Sequence, residues 1–416
     1  MVMKPLLMPV VQAIAWTTLA IACAGVASVA TAQSPPSDLP NGEVADFRVD
    51  KAAFRSAGAS AALLEKAGAS PFRYFRLLAR QFAARTCFEF RDIRWRLPAV
   101  AVHGDAHLEQ FVVTGESYGL EDFDMAGFGP SVVDLVRFGA SLHLACRQAG
   151  WPCNPDQAVE AYFSAYAAAL DRPVVRTAPA IVGRLRAVVP QEPLAWLAWA
   201  DALMQPLPPG DEAAIRRGAE RFVRLMRETG PSRSEGFYTI SKVGRVDLGI
   251  GSALEVKTLI RVDGPTPAPD DDLILEARRA VPTTHPECIS RPGDGSSLHI
   301  LMLTALLGPR LPDVFGFMPI EGAQEAPEVW IQSWDRGYRE LSTSDIGSQS
   351  ELDELAVDAG RQLAGHFWSK FPEPLRGHQR FAQLRAFEAT EKRARQLARE
   401  FAAETVIEWE RFRSQP

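Results

Sequence analysis

The sequence predicts an α+β protein of two lobes, in which a β-rich stretch is set between helical ones. Three observations predict this. Apolar residues recur with a helical period through most of the segment from about residue 52 to 229. Between about 236 and 336 the pattern changes to short apolar runs separated by turn residues. Helical periodicity then returns at 351 and runs into a long charged segment that ends near 413.

Taken in order, Ala52 to Ala67 and Pro71 to Ala84 read as helices, with Ser70-Pro71 as the start signal of the second. The apolar run Pro98 to Val102 and the short run Tyr118-Gly119-Leu120 read as strands. Val132, Leu135, Val136, Phe138, Leu142 and Leu144 mark a buried helix over 131–148. Asn154 to Asp171 and Asp211 to Thr229 are amphipathic helices, and Gln191 to Pro206 is an apolar one whose Trp196 and Trp199 belong to the core. Strands are expected at Phe237 to Val243, Leu254 to Val262 and Asp272 to Ala277, with the Gly264-Pro265 region as the turn between the last two. A helix at Ser296 to Leu307, strands at Val314 to Ile320 and Val329 to Trp334, and helices at Glu351 to Lys370 and Gly377 to Arg413 complete the pattern.

The N-terminus has another purpose. Lys4 precedes an apolar run from Pro5 to about Ala30, and Ala30-Thr31-Ala32 supplies a small-x-small cleavage site. Residues 1–32 therefore read as a secretory signal peptide and 33–45 as a flexible mature start, giving a periplasmic or otherwise exported protein. An uncleaved N-terminal membrane anchor is the alternative. Outside that run the cysteines are Cys87, Cys146, Cys153 and Cys288, an even number that suits an oxidising compartment. Cys146 and Cys153 flank a Gly150–Pro152 helix break, and are expected to pair; two free buried thiols are the alternative. A formal charge of −6 and the lack of a basic block with interleaved aromatics argue against nucleic acid as the partner.

The densest chemical signal is His103-Gly104-Asp105, followed by His107, Glu109 and Gln110, then Asp122-Phe123-Asp124, then Asp134-Leu135. Two carboxylates on loops that follow short strands are what phosphoryl transfer requires, one to accept a hydroxyl proton and one to hold Mg²⁺. Turn or cap residues without catalytic work are the bland alternative for any one of them. The stretch resembles the catalytic region of kinase-like enzymes of the aminoglycoside-phosphotransferase type, whose pattern runs His-Gly-Asp-x-His-x-x-Asn, Asp-Phe/Trp-x and Asp-Leu. Together with Ser70 to Arg76, Gly249-Ile250-Gly251-Ser252 and Leu363 to His366, it also resembles the bacterial family called domain of unknown function 2252.

The resemblance implies a protein-kinase-like fold and a set of roles. Asp105 is the implied catalytic base, with His103 and His107 orienting its loop; Asp122 and Asp124 hold the metal, with Gln110 where the pattern has asparagine. Gly249, Gly251 and Ser252 cover the phosphates of an ATP-like nucleotide. Leu275 to Ala280 resembles the family's Leu-Gln-Val-Lys-Glu-Ala, which puts Arg278 at the place of a phosphate-contacting lysine. Arg76 and His366 are implied cleft residues, and Asp134 is expected to bond to loop backbone. Because the catalytic-type loops precede the glycine-rich sheet, the arrangement is a circularly permuted one. Residues 46–235 form a helical lobe with the loops, 236–336 a β-rich nucleotide-type lobe with Val329 to Trp334 as its hinge strand, and 337–416 the helices that complete the helical lobe. The expected function is Mg²⁺-dependent phosphotransfer to a small hydroxylated molecule. The alternative is a catalytically inactive kinase-like binding or envelope-sensing protein, favoured by export, Gln110 and Arg278.

Overall fold

The computed structural model describes residues 46–56, 61–172, 174–229, 239–246, 257–264, 266–279, 288–290, 298–319, 328–369, 372 and 375–415. The signal and mature-start expectations (1–45), and the glycine-rich Gly249–Ser252 run, lie outside them. The chain is a mixed α+β protein. Helices α1 (Lys51–Ser56), α2 (Ala61–Gly68), α3 (Pro71–Phe75) and α4 (Ala79–Glu89) come first. Ser70 starts α3 because its hydroxyl accepts from the Arg73 amide at 3.2 Å, and Pro71 has no amide to leave unsatisfied. A single turn of 3₁₀ helix at Arg76–Leu78 separates α3 from α4, where the sequence predicts one continuous helix.

Four short strands follow: β1 (Ala99–Val102), β2 (Phe111–Val113), β3 (Tyr118–Leu120) and β4 (Gly127–Pro130). β1 pairs antiparallel with β4, and β2 with β3. Helices α5 (Val132–Gln148) and α6 (Pro155–Asp171) come next. Asn154 caps α6, accepting from the Gln157 amide at 3.3 Å, with Pro155 in the first turn. Then come α7 (Ala180–Val188), α8 (Pro193–Leu203) and α9 (Pro209–Thr229). A five-stranded antiparallel sheet is built from β5 (Ile240–Val246), β6 (Lys257–Val262), β7 (Leu273–Arg279), β8 (Phe315–Pro319) and β9 (Glu328–Ser333), in the order β5-β6-β7-β9-β8. Helix α10 (Leu298–Leu307) lies in sequence between β7 and β8. Strand β10 (Arg339–Glu340) then joins β2, so the chain leaving the large sheet pairs at once beside the strands that carry the first loops. Helices α11 (Gln349–Ser369) and α12 (Leu375–Ser414) end it.

One large apolar cluster joins α2 to α6, β1, α10, α11 and α12, with Phe72, Phe75, Phe82, Phe138, Tyr162 and Phe401 buried in it. A second lies between the large sheet and α9, where Phe222 and Val223 meet Ile260, Leu275 and Ile331. A third joins the two: Trp196 and Trp199 of α8 lie against Trp334, centroids 4.8 and 5.7 Å apart, and pack with Val112, Val246 and Leu259. The tryptophans are core residues, as the sequence implies. Covalent links add to this. Cys146 and Cys153 are disulfide-bonded (Cα–Cα 5.3 Å), and so are Cys87 and Cys288 (Cα–Cα 5.8 Å), which tie α4 to the segment between β7 and α10.

Candidate functional site

The His103–Asp105 loop leaves β1 in a turn that only its own sequence permits. Gly104 has φ +76°, and a Cβ there would collide with the Met125 carbonyl oxygen. The two oxygens of Asp134, at the start of α5, accept the amides of His103 (2.7 Å) and Gly104 (2.9 Å). Burial pushes the Asp134 carboxyl up, against the lowering effect of His103 and these two amides. Asp134 is thus a loop anchor, as expected. The Asp105 amide donates to His103 Nδ1 at 3.4 Å, which leaves Nε2 to donate to the Glu121 carbonyl at 2.8 Å. His103 therefore fastens the first loop to the second.

Asp105 itself sits in a polar cluster at the surface of the large core. Its Oδ1 accepts from Arg137 Nε at 2.5 Å, with Arg137 Nη2 also in contact. Its Oδ2 accepts from the Gln110 amide nitrogen at 3.3 Å and lies 3.8 Å from His107 Nε2. Arg137 is 1% exposed and lies over the Phe75 and Phe82 rings. Burial, then the positive charges of Arg76 and Arg137, hold the fully buried His107 well below its ordinary pKa, so it is neutral. Glu109 is buried and ion-paired to Arg76 at 3.0 Å, and its other oxygen accepts from the Thr343 amide at 3.1 Å.

The second loop begins with Asp122 in the left-handed region (φ 69°, ψ 71°), a conformation a non-glycine residue adopts at some cost. It is held from behind. Gln362 of α11 accepts the Leu120 amide at 2.8 Å and donates to its carbonyl at 2.9 Å, so α11 fixes the strand that feeds Asp122. In front stands Arg278 from β7. Its Nη1 donates to Asp122 Oδ1 at 3.0 Å and lies 3.7 Å from Asp124 Oδ2, while its Nε donates to Glu276 at 2.7 Å. Lys257 of β6 meets the same Glu276 oxygen at 3.1 Å and Glu340 at 3.5 Å. Burial would raise the Glu276 carboxyl, but Arg278 and Lys257 outweigh it and hold it at about 2. Desolvation likewise opposes ionisation of Asp122, and Arg278 with Lys257 overcomes it.

Of these groups Asp122, Asp124 and Arg278 line a cleft of about 680 Å³, open mouth included, together with Trp330, Asp335 and Tyr338, while Asp105, Lys257 and Glu276 stand behind its wall. Glu121 also faces it. Desolvation, with Asp335 and Glu276 nearby, pushes the Glu121 carboxyl up to about 8. Burial pushes Asp335 up to about 6 despite Arg310. The cleft thus holds two acids that are protonated when their neighbours are not.

The structure brings Asp122, Asp124 and Arg278 together, and joins Asp105 to them through His103. Gln110 contacts Asp105, and its backbone carbonyl accepts the Glu121 amide at 2.9 Å. Arg76 belongs to the Glu109 pair. The His366 side chain is not among the described ones. Sequence reasoning missed Lys257, Glu276 and Arg137, because a charged residue in a strand or helix carries no local sign of which loop it will meet, and it missed Glu121, a loop residue whose burial comes only from the tertiary fold. No group of three or more metal-ligating side chains gathers among the described residues, and none of the described helices is long and apolar enough to cross a membrane.

Residues 62–187 match a family model described as an uncharacterized protein conserved in bacteria, DUF2252. No curated protein and no solved structure matches the chain.

Proposed function

We propose that the protein is an exported, kinase-like phosphotransferase that binds an ATP-like nucleotide in this cleft and phosphorylates a small hydroxylated molecule. The observation that carries the reading is the meeting of Asp122 and Asp124 with Arg278, contributed by segments far apart in sequence, on the wall of one cleft. Further support comes from the sheet. The glycine-rich run falls between its first and second strands and the phosphate-type cation on its third, the positions these parts hold in protein kinases. Those parts follow the catalytic-type loops in this chain, which is the permuted order. There is one instructive departure. Kinases hold that cation with a glutamate from a helix. Helix α10 has no acidic residue, and Glu276 on the same strand as Arg278 takes over the task.

Mg²⁺ is usually held by one or two carboxylates plus substrate phosphates rather than by a complete protein cage, and the pair Asp122 and Asp124, gathered around one cation, fits that donor set. When bound there the metal would neutralise charge developing on the phosphates. Arg278 would contact phosphate oxygens through its planar fork. Asp105, held by Arg137, would accept the hydroxyl proton. His103 keeps the two loops in register. The pairing of Cys87 with Cys288 and Cys146 with Cys153 supports export, since disulfides persist in oxidising compartments.

A second reading is favoured by Asp105. Both of its oxygens are engaged, by Arg137 and by Gln110, as in a protein that binds without turning over. Nucleotide binding to the purified mature chain, with and without Mg²⁺, tests both. Mg²⁺-dependent binding lost in Asp122→Asn, with phosphate transfer lost in Asp105→Asn, is the expected result. Binding without transfer would leave the second reading, and no nucleotide binding at all would reject the first.

A further inference from the structure

Arg278 is placed where a metal would be. One guanidinium nitrogen lies 3.0 Å from Asp122 and 3.7 Å from Asp124, the two carboxylates assigned above to the cation. A guanidinium does not lose its proton in a protein, so no accessible pH clears it from that position. A divalent ion placed against the same oxygens would face a fixed positive charge a few ångströms away, and at that range the repulsion is strong.

The surroundings let the arginine turn away. Its remaining anchor is Glu276, which is fully buried and would be costly to strand without a partner. Lys257 meets the same Glu276 oxygen at 3.1 Å, so Glu276 stays paired if Arg278 leaves it. The Arg278 side chain is 11% exposed, lines the cleft, and its guanidinium lies 5.3 Å from the Trp330 ring centroid, a face on which a planar cation can slide. Arg278 thus has two sets of partners, the loop carboxylates and whatever anion enters the cleft.

We propose that Arg278 is the internal occupant of the cation position, so that a divalent metal enters only together with a polyanionic ligand that draws the guanidinium off Asp122 and Asp124. The inference rests on the reading of those two carboxylates as the metal holders. It adds an order of events: anion and metal bind together, and metal alone is refused. Arginine at a position where the family resemblance expects lysine then has a consequence, because its fork holds Glu276 through Nε and Asp122 through Nη1 at once, a two-armed contact that a point-like ammonium does not make in the same geometry.

The test is Mn²⁺ binding, read by its electron paramagnetic resonance signal, to the full mature chain with its disulfides intact. The wild type should take up Mn²⁺ weakly in the absence of an anion. Arg278→Gln should bind Mn²⁺ alone about tenfold or more tightly, the size of an ordinary coupling between sites. Adding Asp122→Asn to that variant should abolish the gain. Arg278→Lys, which keeps the charge and so guards against a folding failure, should fall between the two. Wild-type binding of Mn²⁺ alone as tight as that of Arg278→Gln would overturn the proposal, and would leave phosphotransfer standing if β,γ-imido-ATP with Mn²⁺ still binds. A gain in Arg278→Gln with no binding of β,γ-imido-ATP by either protein would support the arginine's role and reject the nucleotide.

Discussion

Arg137 is the residue whose removal should say most about how the first loop is held. It is 1% exposed, pairs with Asp105 through Nε at 2.5 Å, and lies 4.1 Å from the Phe75 centroid and 5.0 Å from that of Phe82. Replacing it by methionine keeps much of the stem's volume and removes the charge. Breaking a buried ion pair from one side costs about 3–5 kcal/mol, and the lower end applies because the Asp105 side chain is 14% exposed and water can reach it. Losing the stacked guanidinium adds about 1 kcal/mol. Arg137→Met should therefore lose about 4 kcal/mol, and Asp105→Asn a similar amount because it strands the more deeply buried partner. The double variant removes both charges. It should cost about 2–3 kcal/mol less than the sum of the singles, within the range of coupling found for contacting residues. Urea unfolding of the four proteins with disulfides intact measures this. Single losses that add to within about 0.5 kcal/mol in the double would refute the pair as an energetic unit.

Three further outcomes are expected. Gly104→Ala combines a positive φ with a Cβ driven into the Met125 carbonyl, so it should destabilise by more than about 1 kcal/mol, and should weaken ligand binding because the Asp122 loop must shift; thermal melts and nucleotide titration check both. Both disulfides should be complete in native material. Removing Cys87–Cys288, which closes a separation of 201 residues, should cost about 5 kcal/mol against about 2.5 kcal/mol for Cys146–Cys153 with its separation of 7, as serine pairs in denaturant titrations would show. Cleft charge should follow pH. Asp335 and Glu121 are neutral below about 6 and about 8, and each becomes a carboxylate as pH rises through its value. Affinity for an anionic nucleotide should then fall in two steps with rising pH, and Glu121→Gln should remove the upper one.

Much of the fold is legible because period alone separates its parts. The buried stripe of Val132, Leu135, Val136 and Phe138 admits only a helix on a core, and β6 and β7 follow the expected runs to within a few residues. Local chemistry also speaks plainly at Ser70-Pro71 and Asn154-Pro155, where a side-chain acceptor and a missing amide settle the helix start without help from afar. What stays hidden is structure that exists only through a partner. Strand β2 (Phe111–Val113) and the two residues of β10 are too short to show a period, and they are strands because they pair with each other. Helix α7 is hidden in the same way: its nine residues lie beyond a proline, and it holds Ile181, Val182 and Leu185 in the core only by tertiary packing.

The site divides along the same line. Asp105, Asp122 and Asp134 are readable because they stand in motifs of fixed spacing, His103-Gly104-Asp105, Asp122-Phe123-Asp124 and Asp134-Leu135, and Asp134 is the acceptor of loop amides that its place implies. Arg137 and Lys257 are not, since a cation inside a helix or strand has the same local signature whether it meets solvent or a buried carboxylate. Glu276 shows why this matters. In sequence it is one acidic residue in an apolar strand, a position that should be destabilising. In the fold it is held at about 2 by Arg278 and Lys257. Its charge is kept from neutral pH down past the usual carboxylate range, and the stability it contributes is lost only as pH falls from about 4.5 toward about 2. A glutamate so committed cannot also serve as a proton acceptor in the cleft. It holds Arg278 against Asp122, and Lys257 on the same oxygen keeps the buried glutamate paired whichever way the guanidinium turns.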